Sequence, residues 1–514
     1  MRVSAFICMV NSRIILFLGF LFLVLSAEAQ NNFWTQQYGA LSTLTAGAQV
    51  AGVRDNSAIY YNPGAMGFIQ SSKISLSANL YDLELIKLKN VAGEGLDARS
   101  TRVLLYPQFT GGCFELKKTP KLKLFYGLLM RNRTSIRYNV ETQMFYDVIK
   151  GAPGNEFYKA RLEYDYNATE TWAGLGLGYK INNMFSAGIS VFGSYTNIEN
   201  RIAVAANADA IQTDTMGHVV PYTATVNELS SFRMDNINLI FKIGFAAEFN
   251  KLKLGLAITL PSARLFGQGN ISKSVEGYNL NVYSPDTTSV TFKYPSFVIS
   301  DAQTAVKTYY KTVPSFALGA EYAIQKFRLS VTAEYFLGIP AYDIIHGTDR
   351  AVLRPTTAYG GGVVQNFLVV RTQSKGVLNA ALGVSYKIND KFKVLTGFRT
   401  DFNNRMRFSP STNGINLNSL NPSYWHLLHF SAGASYNRGA NDITIGVNYA
   451  FGIAADRGEA VNFTDPQQEL LLRGAPVKDM RTQVNSVSLI IGYTYFFRGS
   501  PRSSEPAAKR MIDW

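Results

Sequence analysis

Apolar and polar residues alternate along many short segments of this chain. The clearest alternation lies in 326–336, where every second residue is apolar: Phe327, Leu329, Val331, Ala333 and Tyr335. The residues between them are polar, and the same pattern recurs in 443–451 and 487–497. A period of two predicts β-strands with one apolar face and one polar face.

Six short turns connect pairs of alternating segments, at 117–121, 180–183, 249–251, 324–326, 387–391 and 437–441. Seven longer polar segments lie between them, near 87–99, 139–157, 201–222, 268–310, 343–364, 408–425 and 455–483. This spacing predicts about fourteen strands, near 73–86, 100–117, 121–138, 158–180, 183–200, 223–249, 251–267, 311–324, 326–342, 365–388, 391–407, 426–437, 441–454 and 484–497. Residues 288–300 could add strand structure inside the longest loop.

An even number of antiparallel strands with alternately short and long connections is typical of outer-membrane barrels. There the apolar face meets lipid and the polar face lines the lumen, whereas in a soluble sandwich the apolar face would meet a second sheet. We therefore predict an all-β fold, a transmembrane antiparallel β-barrel of residues 71–497. The short turns and both chain ends are expected in the periplasm.

Three further segments flank this barrel. Residues 1–29 have a positive start, an apolar core and Ala27-Glu28-Ala29, which together predict a cleaved secretory signal peptide. Residues 30–70 precede the first hairpin and are expected to form an N-terminal plug, and 498–514 a periplasmic C-terminal tail. Beyond the signal, no apolar run approaches the roughly 20 residues that a membrane helix needs.

The segment 55–67 contains a stiff turn. Proline fixes its own φ and restricts the residue before it, and glycine permits a reversal immediately afterwards. We assign the plug or gate to eight residues of this segment: Asp55, Asn56, Ser57, Tyr61, Asn62, Pro63, Gly64 and Met66.

This segment resembles a motif of the outer-membrane hydrophobic-compound transporters of the FadL/OmpP1/TodX family, in which Asp-Ala-Ser is followed by Tyr-Asn-Pro-Ala-Gly-Met. Gly64-Ala65 stands here where the family usually has Ala-Gly. The resemblance implies a fourteen-stranded barrel, an N-terminal plug and passive transport of a hydrophobic small molecule. Family members also have a kinked third strand beside a side opening in the barrel wall.

The second predicted strand contains Pro107, Gly111 and Gly112, and the third offers Gly127. Proline cannot donate a hydrogen bond to the neighbouring strand, and glycine permits a bulge, so the second strand should pair imperfectly. These four residues are the candidate wall opening. The alternative is that they only curve a closed wall.

Charge and reactive residues exclude several function classes. The formal charge is +14, but Lys and Arg are scattered without a nucleic-acid motif, so we expect contacts with anionic lipid and lipopolysaccharide and none with nucleic acid. Only Cys113 follows the signal, so no internal disulfide is expected. His426 and His429 are three residues apart on one strand and should lie on opposite faces, while His218 and His346 fall in different loops. We predict no catalytic site, metal or cofactor.

The predicted function is passive outer-membrane uptake of a long-chain fatty acid or an aromatic hydrocarbon, gated by the plug. The barrel-assembly machinery would be a partner during biogenesis. The alternative is a non-transporting barrel within a protein export or assembly complex, which would bind its protein partner through the long loops or the tail.

Overall fold

The computed structural model describes residues 32–69, 73–116, 118–149, 154–213, 219–280, 296–355, 362–404, 425–457 and 461–497. The predicted signal peptide, the C-terminal tail and His218 lie outside these residues. Two short helices, α1 (Ala40–Leu44) and α2 (Ala58–Tyr61), and a 3₁₀ helix (Pro63–Phe68) precede the strands, and a second 3₁₀ helix spans Gln468–Leu470. No helix in the described part of the chain is long and apolar enough to cross a membrane.

In the described part of the chain, eighteen strands follow the first three helices. They are β1 (Lys73–Lys89), β2 (Ala98–Glu115), β3 (Leu122–Tyr146), β4 (Glu156–Lys180), β5 (Phe185–Thr213), β6 (Val219–Phe249), β7 (Leu252–Thr259), β8 (Ala263–Tyr278), β9 (Ser296–Lys307), β10 (Ser315–Ile324), β11 (Phe327–Phe336), β12 (Ile339–His346), β13 (Val369–Ser374), β14 (Val377–Lys387), β15 (Phe392–Asp401), β16 (His426–Arg438), β17 (Asn441–Arg457) and β18 (Met480–Phe496).

Fourteen of these strands close into an antiparallel barrel, which confirms the predicted fold class. The order is β1 to β7, then β10, β11 and β14 to β18, and β18 pairs with β1 to complete the ring. All six predicted short turns lie at one end of the barrel, which we call the turn end. The opposite end, with the long connections, is the loop end.

Two strand pairs outside the ring correct the predicted boundaries. The predicted strand 251–267 ends at Thr259, and after Pro261 the chain leaves the ring as β8. Strand β8 pairs with the loop-end part of β6 and with β9, so much of the predicted loop 268–310 is strand. Likewise, β12 and β13 form a separate two-stranded sheet, and the ring strand predicted from 365 begins at Val377.

The outer surface carries the predicted apolar face. Leu329 and Val331 are 42% and 46% exposed, whereas the alternate residues Ser330 and Thr332 are buried in the lumen. On β4 the outward residues nearest the turn end are Ala173, Leu175, Leu177 and Tyr179. These alternate residues form part of the apolar band of about 25 Å that such barrels present to lipid.

Strands β3 to β6 continue far beyond this band. Their outward residues there form ion pairs, including Arg137 with Asp165, Arg161 with Glu163 and Arg233 with Glu199. Their inward face is apolar and packs against loop segments in one hydrophobic cluster, which includes Leu162, Val204, Ala206, Phe367 and Leu368. The predicted loop 201–222 is therefore largely strand, because its apolar positions face this core.

Candidate functional site

The N-terminal segment, defined here as residues 32–69, lies inside the barrel at the level of the apolar band. Most of its side chains are buried, although it contains only two α-helices of five and four residues and one 3₁₀ helix of six. Because so few of its residues are helical, many backbone N–H and C=O groups of the segment need hydrogen-bond partners in the barrel wall. The contacts of this segment with the wall therefore define the site.

A ring of inward-facing glycines accommodates the N-terminal segment. A Cβ atom added at any of these positions would meet an atom of the segment within 3.1 Å: Gly127, Gly176, Gly178, Gly188, Gly244, Gly255, Gly319, Gly383, Gly397, Gly433, Gly446 and Gly492. These glycines come from β3 to β7, β10 and β14 to β18. The wall is thus shaped to the segment around most of the barrel.

Asn56 attaches the segment to β1 and β2. Its side-chain amide donates hydrogen bonds to the backbone oxygens of Lys73, at 3.2 Å, and Gly111, at 2.9 Å. Asp55 holds the neighbouring turn, because its Oδ1 accepts from the backbone N–H of Ser57 at 2.8 Å and from the Ser57 hydroxyl. Asp55 and Ser57 therefore form the turn, and Asn56 between them bonds to the barrel wall.

Asn62 attaches the segment to β6. Its Nδ2 donates to the backbone oxygens of Val50, at 2.7 Å, and Phe245, at 3.0 Å, while its Oδ1 accepts from the N–H of Gly64 at 2.9 Å. Pro63 begins the 3₁₀ helix, where a missing N–H costs nothing. A Cβ on Gly64 would lie 2.7 Å from the β6 backbone, so only glycine permits this approach.

Met66 and the tyrosines fill the space behind this turn. The Met66 side chain lies against Gly176 and Gly178 of β4. Tyr61 accepts a hydrogen bond from the backbone N–H of Tyr38 at 3.0 Å. Burial raises the pKa of Tyr38 to about 12 and that of Tyr61 above its ordinary value, so both phenols are neutral at physiological pH.

Tyr60 lies beside cationic side chains that project from the wall. The Lys242 ammonium is 4.1 Å from the centre of its ring, and the Arg131 guanidinium is 6.0 Å away. Trp172 packs against the same ring, with centroids 6.0 Å apart. These cation–π contacts hold the segment to β3 and β6.

The start of the segment is bound by buried charged groups of the loop-end half. Arg399 donates to the backbone oxygens of Trp34 and Thr35, both at 2.9 Å. Asp401 accepts from the Trp34 N–H at 2.9 Å, and Glu334 accepts from the Trp34 indole at 2.6 Å. The segment is therefore fixed at both ends of its path.

Two chambers lie above the segment, toward the loop end. Chamber one is a space of about 870 Å³ that is partly open to solvent, and its lining includes Gln36, Asp82, Gln108, Arg399 and Ser488. Chamber two is a similarly open space of about 720 Å³, and its lining includes Phe33, Arg131, Lys311, Phe336 and Tyr342. Both are lined by Asn32 and Asn132, so the chambers adjoin one another.

The β2–β3 pairing is incomplete beside chamber one. These strands pair only from Phe109 with Leu129 to Glu115 with Lys123. We call the unpaired stretch, residues 98–108 of β2 facing 130–146 of β3, the seam. Within the described residues, contacts across it include the Arg137 N–H to the Ser100 hydroxyl, at 3.2 Å.

Three of the four predicted wall-opening residues lie just below the seam, and Pro107 lies in it. Gly111 pairs directly with Gly127, and Gly112 is the next residue of β2, so these three belong to the closed part of the wall. At Pro107 the β1–β2 register shifts and leaves Gln108 as an extra, buried residue. The predicted imperfect pairing of the second strand is confirmed.

The described histidines do not form a common site. His429 faces the lumen and His426 the opposite side of β16, as predicted. His346 bonds Asp343 at 2.9 Å in the separate sheet. Among the described residues, no group of three His, Cys, Asp or Glu side chains could hold a metal ion.

Sequence reasoning missed the glycine ring and the chambers. The glycines had a visible signal, because several stand three residues before a tyrosine near the end of a strand, as Gly319, Gly383 and Gly433 do. The chambers had none, since their linings combine residues separated by several hundred positions, such as Gln36 and Ser488. In the apolar run of β5 that begins at Ala203, the inward residues Val204, Ala206 and Ala208 pack in the apolar core.

No protein-family model and no curated protein sequence matches this chain. Its structure is similar to that of a Pseudomonas aeruginosa FadL homologue, with a TM-score of 0.54 and 14% identity over 90% of this chain and 99% of that one. It is also similar to the Pseudomonas putida toluene transporter TodX, with a TM-score of 0.53 and 12% identity over 90% of this chain and 99% of TodX. The resemblance to the FadL/OmpP1/TodX family is thus confirmed at the level of the fold, which this chain shares with both proteins.

Proposed function

We propose that this chain is an outer-membrane channel for the passive uptake of hydrophobic small molecules. Lipopolysaccharide presents a charged, hydrated layer that impedes apolar solutes, so such a solute needs a protein path through it. The apolar outer band, the polar extension beyond it and the lumenal chambers support this role. In this arrangement the turn end and both chain ends face the periplasm, and lipid and lipopolysaccharide surround the barrel.

The observation that carries the proposal is the position of chamber one beside the seam. Tyr106 and Gln108 line it from β2, and Asn132 and Thr134 line it from β3. Just outside, Leu105 of β2 is 66% exposed on the lipid-facing surface. A solute in the chamber is therefore separated from lipid by side chains alone, without a hydrogen-bonded ladder.

The N-terminal segment would act as the plug that closes the turn end. Its hydrogen bonds to β1, β2, β6 and β15 hold it across the lumen. A solute would therefore leave the lumen sideways, through the seam. The predicted plug residues Asp55 to Met66 would fix its shape. In this proposal no catalysis, cofactor or energy source takes part.

Uptake of N-phenyl-1-naphthylamine tests the proposal. This uncharged dye fluoresces in lipid and is excluded by intact lipopolysaccharide. Gram-negative cells that produce the full chain should take it up several-fold faster than cells that produce an unrelated barrel at the same level. Equal rates in the two strains would contradict a hydrophobic channel.

A further inference from the structure

One tyrosine on the molecular surface is flanked by two cationic groups. Tyr309 follows β9 and lies beside the start of β8, and its side chain is 42% exposed. The Arg264 guanidinium lies 4.7 Å from the centre of its ring, and the Lys307 ammonium lies 5.3 Å from the same point. The two cations therefore share one exposed aromatic ring.

The Arg264 guanidinium is held in a fixed position by neutral groups. Its Nε donates to the backbone oxygen of Thr308 at 2.7 Å, and one Nη donates to that of Gly267 at 2.8 Å. A guanidinium has five N–H donors, so several remain for a ligand. The backbone oxygens orient the cation without cancelling its charge.

No carboxylate neutralises the two cations within the described part of the chain. Neither Arg264 nor Lys307 forms an ion pair there with Asp or Glu. Asp235 of β6 lies in the same cross-strand row as Lys307, with β8 between them. Its carboxylate already accepts hydrogen bonds from Tyr195 at 2.6 Å and Asn197 at 2.9 Å. The pair of cations is therefore available to an external anion.

Two exposed apolar side chains follow Arg264 directly. The β6–β8 register shifts at Leu265, which has no partner on β6. Such a bulge re-aims side chains, and here both Leu265 and the next residue, Phe266, are exposed, by 61% and 46%. An apolar surface thus adjoins the cations.

This surface lies at the loop-end edge of the apolar band. On β6 the outward residues change there from apolar, at Leu239 and Ile237, to charged, at Asp235. Phe266 pairs with Ile237, and Lys307 lies in the row of Asp235. The apolar side chains are therefore level with lipid tails, and the Lys307 ammonium is one step beyond them, level with headgroups.

We propose that Arg264, Leu265, Phe266, Lys307 and Tyr309, here called the outer patch, bind lipid A of lipopolysaccharide. A lipid A phosphate lies against the two cations, and an acyl chain lies against the apolar pair. Guanidinium groups suit this role because they bind phosphate oxygens through two parallel hydrogen bonds. The inference rests on the proposed outward orientation of the loop end and does not depend on transport.

Native mass spectrometry of the full chain in detergent micelles tests the inference. The probes are diphosphoryl lipid A, phosphatidylglycerol and phosphatidylcholine at pH 7. A phosphate monoester carries a charge of about −1.5 to −2, more than a phosphodiester, so lipid A should bind at least threefold more tightly than phosphatidylglycerol and tenfold more tightly than phosphatidylcholine. Equal binding of all three lipids, or displacement of lipid A by equimolar inorganic phosphate, would overturn the inference.

A pair of variants locates the site. Lys307→Gln should weaken the binding of lipid A at least fivefold and leave that of phosphatidylcholine unchanged. Lys159→Gln is the matched control, because it removes the same charge from an exposed, outward position of β4 far from the patch. If Lys307→Gln binds lipid A like the original protein, or Lys159→Gln weakens it equally, the outer patch is not the site. Dye uptake does not require the patch, so this inference and the proposed channel can fail independently.

Discussion

Gly244 of β6 must lack a side chain for the N-terminal segment to fit against the wall. A Cβ there would lie 2.2 Å from Asn62 Oδ1 and 2.4 Å from the Gly64 nitrogen, with the segment's backbone behind them. Gly64 in turn approaches the wall so closely that neither partner can retreat. The fit is therefore rigid at this point.

Gly244→Val should displace the segment while the β5–β6 ladder persists. We expect the steady conductance in planar bilayers to rise several-fold over that of the unchanged protein. Gly193→Val is the matched control, because its added Cβ would meet only the Ala173 oxygen, at 3.9 Å. Low conductance in Gly244→Val, or a rise in both variants, would show that the segment does not close the lumen.

Asn56 tests whether the side-chain amide holds the segment to the wall. Asn56→Ala removes the donors to two backbone oxygens. Amide hydrogen exchange in residues 32–69 should become faster, by an amount that corresponds to a loss of about 1–3 kcal/mol in the free energy of opening. Asn56→Asp should accelerate exchange further, because the carboxylate repels those same oxygens. An aspartate variant as protected as the original protein would mean that this amide does not anchor the segment.

At the scale of elements, the sheet of β12 and β13 should respond to acid. Hydrogen bonding from Arg371 in β13, and then from His346, lowers the pKa of Asp343 in β12. A lowered pKa stabilises the sheet fully above the unfolded value of about 3.9, and this stabilisation is lost as the pH falls through the lower folded value.

Hydrogen exchange across β12 should therefore be constant from pH 7 to about 5, after correction for intrinsic rates, and should rise below about pH 4. In Asp343→Asn the acid-dependent rise should disappear. A rise that persists in this variant would assign the transition to another group.

Among the strands, sequence reasoning succeeded where one face meets lipid and the other the lumen. In 326–336 the alternation alone identified the strand and its outward face, since each environment selects one residue type. It failed in 201–222 and around Pro261, where the strands leave the apolar band. There the outward residues meet water, so the polar composition of a strand resembles that of a loop.

Sequence reasoning likewise predicted some parts of the candidate site and missed others. Asn62-Pro63-Gly64 predicted a stiff buried turn because proline and glycine restrict the backbone locally. The end of the β2–β3 ladder at Phe109 was indicated only by Pro107, since strand pairing depends on both partners. The anchors Arg399 and Asp401 carried no local signal, because their partners lie more than 360 residues away.

At the scale of the whole molecule, the barrel has three levels inside one wall. An apolar core fills the extension at the loop end, two chambers occupy the middle, and the N-terminal segment fills the turn end. The seam is the unpaired stretch of wall that adjoins chamber one. We propose that a solute leaves chamber one sideways, through this seam.

A reversible cross-link across the seam would test lateral release. The Arg133 guanidinium lies 5.5 Å from the Tyr106 ring across the seam. Tyr106→Cys with Arg133→Cys, with the buried Cys113 replaced by Ala, would be joined by a short bis-methanethiosulfonate reagent. The control joins Thr169→Cys to Asn197→Cys, which are paired directly on β4 and β5. We expect dye uptake to fall at least fivefold in the cross-linked seam variant, to recover with reductant, and to stay unchanged in the control, whereas undiminished uptake through the cross-linked seam would contradict lateral release.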